Sequence, residues 1–305
     1  VERPFRSNTM PIRTVLYAMC AGVITLAVAA SALFWAEGFP GRLTAQAAVI
    51  NEAVGTNYRC AVSDIIRLGM SRACPINLPS RNPTDADVVL IGNSQAQMYA
   101  PVWASILAER GKTGLLVPAN ACLPTVKANI DRECIDNARR NLEEITNLTR
   151  ARTVIIGTTW WHDDDDLVDS SDRATDNRNN RVLVDALDDL VDHLHRAGKQ
   201  VVLIGPLAEP GWDIASTISR QLAFGHPADR PVFLPASDFT RRFGSAIRHF
   251  EARGDIGFAR PDRVQCRAER CDYLIDGRSL FADSSHIAAA ELPRFHSLFA
   301  TVLPH

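Results

Sequence analysis

Short runs of apolar residues alternate with amphipathic segments over the last two-thirds of the chain. Four runs that are rich in branched residues and bounded by polar residues predict buried strands at 87–92, 113–119, 153–158 and 200–206. Apolar positions at helical spacing predict helices at 95–110, 139–148, 182–197, 238–252 and 287–302. Alternating strands and helices, with strands that are apolar throughout, are typical of an α/β domain whose parallel sheet is covered on both faces.

A different pattern occupies residues 14–36, which contain no charged side chain. As a helix this segment would reach about 34 Å, enough to cross the hydrocarbon core of a membrane. Arg3, Arg6 and Arg13 precede it and Glu37 follows it, which places the N-terminus in the cytoplasm and the remainder outside. A cleaved signal peptide is the alternative, but the apolar run is long for one and lacks a convincing cleavage site.

These patterns predict four regions. They are a cytoplasmic segment at 1–13, a transmembrane helix at 14–36, an extracytoplasmic linker at 37–86 and an α/β domain at 87–305. We expect one short helix in the linker, near Ser63 to Arg72. The chain would then cross the inner membrane once and hold its C-terminal domain in the periplasm.

Six cysteines follow the apolar run as three pairs that are close in sequence. An oxidising compartment favours disulfides, and the simplest of the fifteen possible connectivities is Cys60–Cys74, Cys122–Cys134 and Cys266–Cys271. Reduced structural thiols are the alternative. A zinc site is less favoured because no pair has the short Cys-x-x-Cys spacing.

The overall charge excludes one class of partner. The formal net charge is −2, with 22% charged and 46% hydrophobic residues. This balance favours a globular domain and gives no sign of the basic face that a nucleic-acid-binding protein needs.

Two short motifs carry candidate chemistry. The first predicted strand ends in Gly92-Asn93-Ser94, where the turn into a helix would expose the serine hydroxyl and the helix N-terminus would favour negative charge. An ordinary turn with an Asn N-cap has the same sequence. Near the C-terminus, Asp283 and His286 could act together, with the carboxylate orienting an imidazole that accepts a serine proton. A helix cap beside a surface histidine is the alternative there.

Together the two motifs resemble the SGNH (GDSL-like) hydrolase family, from about residue 87 to the C-terminus. The family's Gly-Asp-Ser-(His or Leu) motif is matched by residues 92–95, with Asn93 in place of Asp. Its late Asp-x-x-His block is matched by Asp283, His286 and the following Ile287. The resemblance implies a three-layer α/β/α, flavodoxin-like fold with Ser94, Asp283 and His286 as catalytic residues, and neither a cofactor nor a metal.

A narrower resemblance concerns both ends of the chain. The opening VERPF and the segment WAEGFPGR look like the end of the multi-span acyltransferase-3 membrane domain, after which fused members carry an SGNH domain. Those domains commonly have a late Cys pair, Asp-Gly and an aromatic residue, here Cys266, Cys271, Asp276, Gly277 and Phe281. The resemblance implies O-acylation, usually O-acetylation, of an envelope polysaccharide. It also implies an acyl donor delivered by a membrane acyltransferase domain, which an N-terminal part of the same protein upstream of this chain could supply.

The chain departs from the family in the oxyanion hole. Family members take a donor from a Gly after the second strand and another from an Asn after the third. Here Asn120 is the nearest side-chain donor after the second strand, and no Asn follows the third, so Gly157, Thr158 and Thr159 are the candidates, although none matches the family by residue type. Because one lost donor can cost about a hundredfold in rate, the resemblance does not imply full activity as an independent esterase.

Two further features follow the third predicted strand. Trp160 could stack on a sugar or pack at the strand end, and His162 with the acidic run 163–166 could bind a cation or form a solvated loop. We predict no metal. Two rivals to the transferase remain: a carbohydrate esterase that uses the same residues, and a glycan-binding module without full activity.

Overall fold

The N-terminal part of the protein is a long apolar helix. The structure is a computed structural model and describes residues 11–36, 41, 43–162 and 167–304. Helix α1 (Ile12–Trp35) has 24 residues and is long and apolar enough to cross a membrane. None of its residues is buried within the protein, as expected if lipid covers its side chains. Arg3, Arg6 and Glu37, which give the predicted orientation, lie outside the described residues.

A seven-stranded sheet forms the centre of the domain, in the order β1-β2-β4-β3-β5-β6-β7. The neighbours from β4 to β7 are parallel, and β1 and β2 form an antiparallel edge. The four predicted strands are confirmed to within two residues. The strands are β1 (Ile66–Leu68), β2 (Ser71–Ile76), β3 (Val88–Gly92), β4 (Gly114–Pro118), β5 (Thr153–Gly157), β6 (Gln200–Ile204) and β7 (Gly257–Ala259).

Helices cover both faces of the sheet. Alternate side chains of each strand enter separate cores, since strand side chains point to opposite faces. Val89 and Ile91 pack in the core that includes α4, α5 and α7, whereas Val88 and Leu90 pack in the core that includes α3, α6 and α9. This confirms the three-layer α/β/α fold. The helices are α2 (Ala45–Asn51), α3 (Ser94–Glu109), α4 (Arg132–Asn147), α5 (Arg181–Arg196), α6 (Ile214–Ala223), α7 (Ala236–Ala252), α8 (Asp262–Gln265) and α9 (His296–Val302).

Short elements connect these layers. The 3₁₀ turns are Val62–Asp64, Pro83–Asp85, Arg178–Asn180 and Ala289–Phe295. Small antiparallel pairs join Ala128–Asn129 to Val168–Asp169, Phe233–Pro235 to Arg270–Asp272, and Leu274–Ile275 to Arg278–Ser279.

The prediction of a short helix near Ser63 to Arg72 is wrong. After the 3₁₀ turn Val62–Asp64, this segment forms the β1–β2 hairpin, which turns at Gly69 with φ +55°. A Cβ atom on Gly69 would lie 2.7 Å from Asn141 Oδ1, so the turn requires glycine. Strand β2 pairs with β4, and this long-range pairing outweighs local helical spacing. The sheet therefore reaches into the segment that we expected to be a linker.

Two predicted helices have different limits in the structure. Helix α4 begins at Arg132, seven residues before the predicted start, because the Asp131 side chain accepts the N–H of Cys134 at 2.7 Å and caps it. The segment from 287 is not one helix. It passes through the turn Ala289–Phe295, which contains Pro293, before α9 begins at His296. Proline lacks the N–H that a continuous helix requires there.

All three predicted disulfides are confirmed. The Cα atoms are 6.3 Å apart in Cys60–Cys74, 5.3 Å in Cys122–Cys134 and 3.8 Å in Cys266–Cys271. The first attaches the segment before the hairpin to β2, and the second attaches the loop after β4 to the first turn of α4. Such cross-links favour an extracytoplasmic location for the domain.

Candidate active site

Ser94 lies at the turn where β3 passes into α3. Gly92 has φ +143°, and a Cβ atom there would lie 1.6 Å from the carbonyl oxygen of Gly157 on β5. Only glycine therefore allows the two strands to meet at this turn. Asn93 is the N-cap of α3, and its Oδ1 accepts the N–H of Gln95 at 3.1 Å. The turn thus places half-buried Ser94 at a helix N-terminus.

Among the described residues, the first turn of α3 leaves the backbone N–H of Ser94 without an acceptor. The Asn93 carbonyl accepts the N–H groups of Ala96 and Gln97, and the Asn93 side chain accepts that of Gln95. Within the described part of the chain, no group accepts the N–H of Ser94. A free N–H at a helix N-terminus can stabilise an oxyanion that forms next to it.

Asp283 and His286 are in direct contact. The imidazole Nδ1 lies 2.8 Å from Asp283 Oδ2, and Asp283 Oδ1 accepts the backbone N–H groups of Ser285 and His286 at 2.9 and 2.8 Å. The carboxylate therefore both shapes the loop and fixes the ring. Asp283 caps a turn of this loop and not a helix, so the helix-cap alternative is wrong, and its role in orienting a catalytic base stays a prediction.

The ionisation of Asp283 determines which nitrogen of His286 carries a proton in the neutral ring. Burial alone would raise the pKa of Asp283, but hydrogen bonds from the His286 ring and from the backbone N–H groups of Ser285 and His286 lower this pKa to about 2. An ionised carboxylate can only accept hydrogen bonds, so Nδ1 must be the donor. The other ring nitrogen, Nε2, is then an acceptor, which a general base requires.

Side-chain contacts hold the Asp283–His286 loop against the beginning of α3. Gln95 Nε2 donates to the carbonyl of Ser285 at 3.1 Å, and the N–H of Ile287 donates to Met98 Sδ at 3.2 Å. Ser94 and His286 come from opposite ends of the domain, and these contacts bring their segments together. In the structure Ser94 Oγ does not hydrogen-bond to His286, so that contact stays a prediction.

Three nearby residues were not anticipated from sequence. Besides Gln95, they are Glu209, whose Oε1 lies 3.4 Å from Gln95 Nε2, and Tyr58, whose ring centroid is 6.5 Å from that of His286. Burial and the charge of Asp283 raise the pKa of Tyr58, so the phenol stays neutral. The sequence offered one indirect signal, because the disulfide of Cys60 fixes the segment that contains Tyr58.

The candidate oxyanion donors differ in their surroundings. Asn120 is exposed, with φ +52°. Gly157 is buried and packs closely on Ala96, since a Cβ atom added to Gly157 would lie 3.0 Å from the Cα atom of Ala96. Thr158 is 4% exposed, and its hydroxyl has no hydrogen-bond partner among the described residues. A role for any of the three in binding the substrate stays a prediction.

Trp160 packs at the end of β5, which is the second of the two roles that we considered for it. It is 2% exposed, its indole N–H donates to the carbonyl of Ile204 at 3.0 Å, and its ring meets Phe250 edge-on. Its ring therefore offers no open face for a sugar in this structure. Trp161 is half-buried beneath the guanidinium of Arg242, which lies 4.5 Å from the ring centroid.

No metal site is found in the described part of the chain. Among residues 11–36, 41, 43–162 and 167–304, no group of three or more His, Cys, Asp or Glu side chains could hold an ion. The acidic run at 163–166, which we considered as a cation ligand together with His162, lies outside the described residues.

Known proteins share this architecture. A sequence model of the family described as "SGNH domain (fused to AT3 domains)" matches residues 59–295, so the match begins inside the segment predicted as a linker. The periplasmic domain of the lipopolysaccharide acetyltransferase of Salmonella ser. Paratyphi A superimposes with a TM-score of 0.52 and 14% identity, covering 71% of this chain and 83% of that one. A putative acylhydrolase from Bacteroides fragilis NCTC 9343 gives a TM-score of 0.42 and 13% identity, over 74% and 89% of the two chains. No curated protein matches the sequence.

Proposed function

Because the chain belongs to the family of SGNH domains that are fused to AT3 domains, we propose that it is an O-acyltransferase for a cell-envelope polysaccharide. Membership of this family supports the conclusion that the protein is an enzyme that transfers or hydrolyses acyl groups. Acetyl as the acyl group and a polysaccharide as the acceptor belong to the proposal. The Salmonella domain supports this choice, since it comes from a lipopolysaccharide acetyltransferase.

One observation carries the mechanism. The Asp283–His286 pair lies on a loop that Gln95 and Met98 hold against the first two turns of the helix that Ser94 begins. In this proposal Ser94 is the nucleophile, His286 the base and Asp283 the orienting carboxylate, and their segments meet at the carboxyl end of β3. These are the parts of a serine acyl-transfer site.

The reaction proceeds through an acyl-enzyme. His286 Nε2 accepts the proton of Ser94 Oγ as that oxygen bonds to the carbonyl carbon of the acyl donor. The N–H of Ser94 and the α3 N-terminus stabilise the oxyanion. The tetrahedral intermediate then loses the donor's leaving group, which takes the proton from His286. In the second half, His286 accepts the proton of a sugar hydroxyl, whose oxygen attacks the acyl carbon, and His286 then returns a proton to Ser94 Oγ as the bond between that oxygen and the acyl carbon breaks.

The membrane supplies the donor in this proposal. The candidate membrane helix α1 and the three disulfides suggest an extracytoplasmic domain. We place it on the periplasmic side of the inner membrane, where an AT3 membrane domain delivers the acyl group.

An esterase is the second candidate function, and solvent access at the site favours it. The His286 side chain is 25% exposed and that of Asp283 is 47% exposed. Water can therefore approach the acyl carbon on the same path as a sugar hydroxyl and take its place.

Labelling of Ser94 tests the mechanism. The full chain in detergent should react with a serine-directed phosphonate, and mass spectrometry should find the adduct on Ser94. Ser94→Ala and His286→Ala should each abolish labelling, and the double variant should be no worse, because the two residues act as a unit. Ser284→Ala, in the same loop, is the matched control and should label normally. An unlabelled wild type, or a labelled Ser94→Ala variant, would refute the mechanism.

The fate of the acyl group separates the two enzymes. With 4-nitrophenyl acetate as donor and increasing concentrations of an envelope oligosaccharide, a transferase should form acetylated oligosaccharide at the expense of free acetate. If acetate is the only product at every acceptor concentration, the esterase assignment replaces the transferase.

A further inference from the structure

The amide of Gln95 joins three separate segments of the protein. Gln95 follows Ser94 in α3 and is 5% exposed. Its Nε2 donates at 3.1 Å to the carbonyl of Ser285 in the catalytic loop, and it lies 3.4 Å from Oε1 of Glu209 in the loop after β6. The amide has two N–H groups, so it can supply both contacts at once.

Glu209 belongs to a loop that braces the catalytic loop from a second direction. The N–H of Gly211 donates to the carbonyl of Ser284 at 3.0 Å, and the hydroxyl of Tyr273 lies 3.4 Å from the Glu209 carbonyl. The loop that carries Asp283 and His286 is therefore held by both the helix of Ser94 and the loop after β6.

The surroundings of Glu209 favour its neutral form. Burial raises the pKa of Glu209 well above its ordinary value, and the negative charge of Asp283 raises it further, while Arg242 opposes the change. A neutral carboxyl oxygen still accepts a hydrogen bond from Gln95. The raised pKa thus extends to higher pH the range in which Glu209 accepts this hydrogen bond without adding a second negative charge near Asp283.

On the basis of the proposed function, we propose that Gln95 and Glu209 are positioning residues that set the geometry between Ser94 and the Asp283–His286 loop. Ser94 and His286 share no hydrogen bond in the structure, so their relative position depends on the contacts of their neighbours. Reacting groups must be held to within a fraction of an ångström, and a displacement of about 1 Å can cost about a hundredfold in rate.

The test measures phosphonate labelling of Ser94 in the full chain in detergent, as the rate constant at saturating reagent and the reagent concentration for half that rate. Gln95→Met keeps the length of the side chain but removes the donor. We expect Gln95→Met and Glu209→Ala each to lower the saturating rate constant by about tenfold, in line with a sub-ångström displacement of the reacting groups. The half-saturating concentration of the reagent should change by less than twofold. The variant with both changes should be no slower than Gln95→Met, since that single change already removes the contact between Gln95 and Glu209.

Conservative variants separate positioning from other roles. Glu209→Gln retains an oxygen that accepts from Gln95, so it should label within twofold of the wild-type rate. Gln200→Leu, at the amino end of β6 and so at the opposite end of the parallel strands, is the control and should have no effect. If Glu209→Gln is as slow as Glu209→Ala, the carboxyl acts in the reaction itself and the positioning role is wrong. Wild-type rates for Gln95→Met and Glu209→Ala would also overturn it.

A second readout does not depend on labelling. Amide hydrogen exchange at His286 and Ile287 should be faster in Gln95→Met than in the wild type and unchanged in Gln200→Leu. A wild-type protein that never labels refutes the proposed function, whereas unchanged exchange in Gln95→Met refutes the positioning role. The two failures are therefore distinguishable.

Discussion

Replacing Asp283 by Asn should slow the acylation of Ser94 by about tenfold. Asparagine has the same shape, and its Oδ1 can still accept the backbone N–H groups of Ser285 and His286, which the structure places at 2.9 and 2.8 Å. The variant loses the charge that stabilises the imidazolium, and it presents an N–H₂ group to the protonated Nδ1. The loop that carries Asp283 and His286 should therefore keep its conformation, while His286 loses the carboxylate that orients it.

The structure sets the size of this effect. The pKa of Asp283 falls from 3.8 to about 2. Since a change of one in pKa corresponds to about 1.36 kcal/mol, the total is about 2.4 kcal/mol. Part of that energy comes from the backbone N–H groups, which the variant retains. The Asp283 side chain is also 47% exposed, so solvent screening weakens its contact with His286. About 1 to 1.5 kcal/mol then remains, which is roughly a tenfold change in rate.

The assay is the saturating rate of phosphonate labelling at neutral pH, with Asp255→Asn as a matched control. Asp255 precedes β7 and pairs with Arg253 at 2.8 Å, away from the serine. Serine proteases whose orienting carboxylate is buried lose about 10⁴ in rate from the same change. A loss of that size here would contradict the partly exposed geometry. A loss below twofold would show that Asp283 does not orient His286.

Two other predictions address orientation and ionisation. A reporter that is active only outside the cytoplasm, fused after the last residue, should be active, and activity of a cytoplasmic reporter alone would reverse the predicted orientation. The pKa of Glu209 is raised in the folded protein, so as the pH rises above 4.5 Glu209 loses its proton in the unfolded chain before it does so in the folded protein. The wild type therefore loses stability as the pH rises through this range. The melting temperature of Glu209→Gln relative to that of the wild type should increase over the same range. A difference that stays constant between pH 4 and 8 would show that Glu209 ionises normally in the folded protein.

The parallel strands could be predicted from sequence because each is apolar along its whole length. Strand β3 is buried at every position, so it lacks the alternation that would leave one face polar. Its boundaries are marked by polar residues before it and by the glycine turn after it. The hairpin of β1 and β2 gave no such signal, since Arg67 and Arg72 are exposed and the hairpin joins the sheet only through the pairing of β2 with β4. Short edge strands depend on tertiary contacts that local spacing does not record.

The candidate catalytic residues could be predicted because each lies in a short local motif. Gly92 and Asn93 mark the turn before Ser94, and the spacing of Asp283 and His286 permits a contact within one loop. Gln95 and Glu209 carry no comparable motif. They are 114 positions apart in sequence, and they meet because the parallel strands β3 and β6, which precede them, lie on either side of β5 in the same sheet.

Asp283 and Glu209 interact through their charges, so both cannot be ionised without cost, and the structure gives them opposite environments. Asp283 accepts three N–H groups, which lower its pKa, whereas desolvation and the charge of Asp283 raise the pKa of half-buried Glu209. The two ionisations are therefore linked, since removing the charge of Asp283 eases the ionisation of Glu209. Pairs of acids whose environments push their pKa values apart are typical of sites with divided roles. On this argument Asp283 is the charged partner of His286, whereas Glu209, whose pKa is raised, supports the same loop through Gln95.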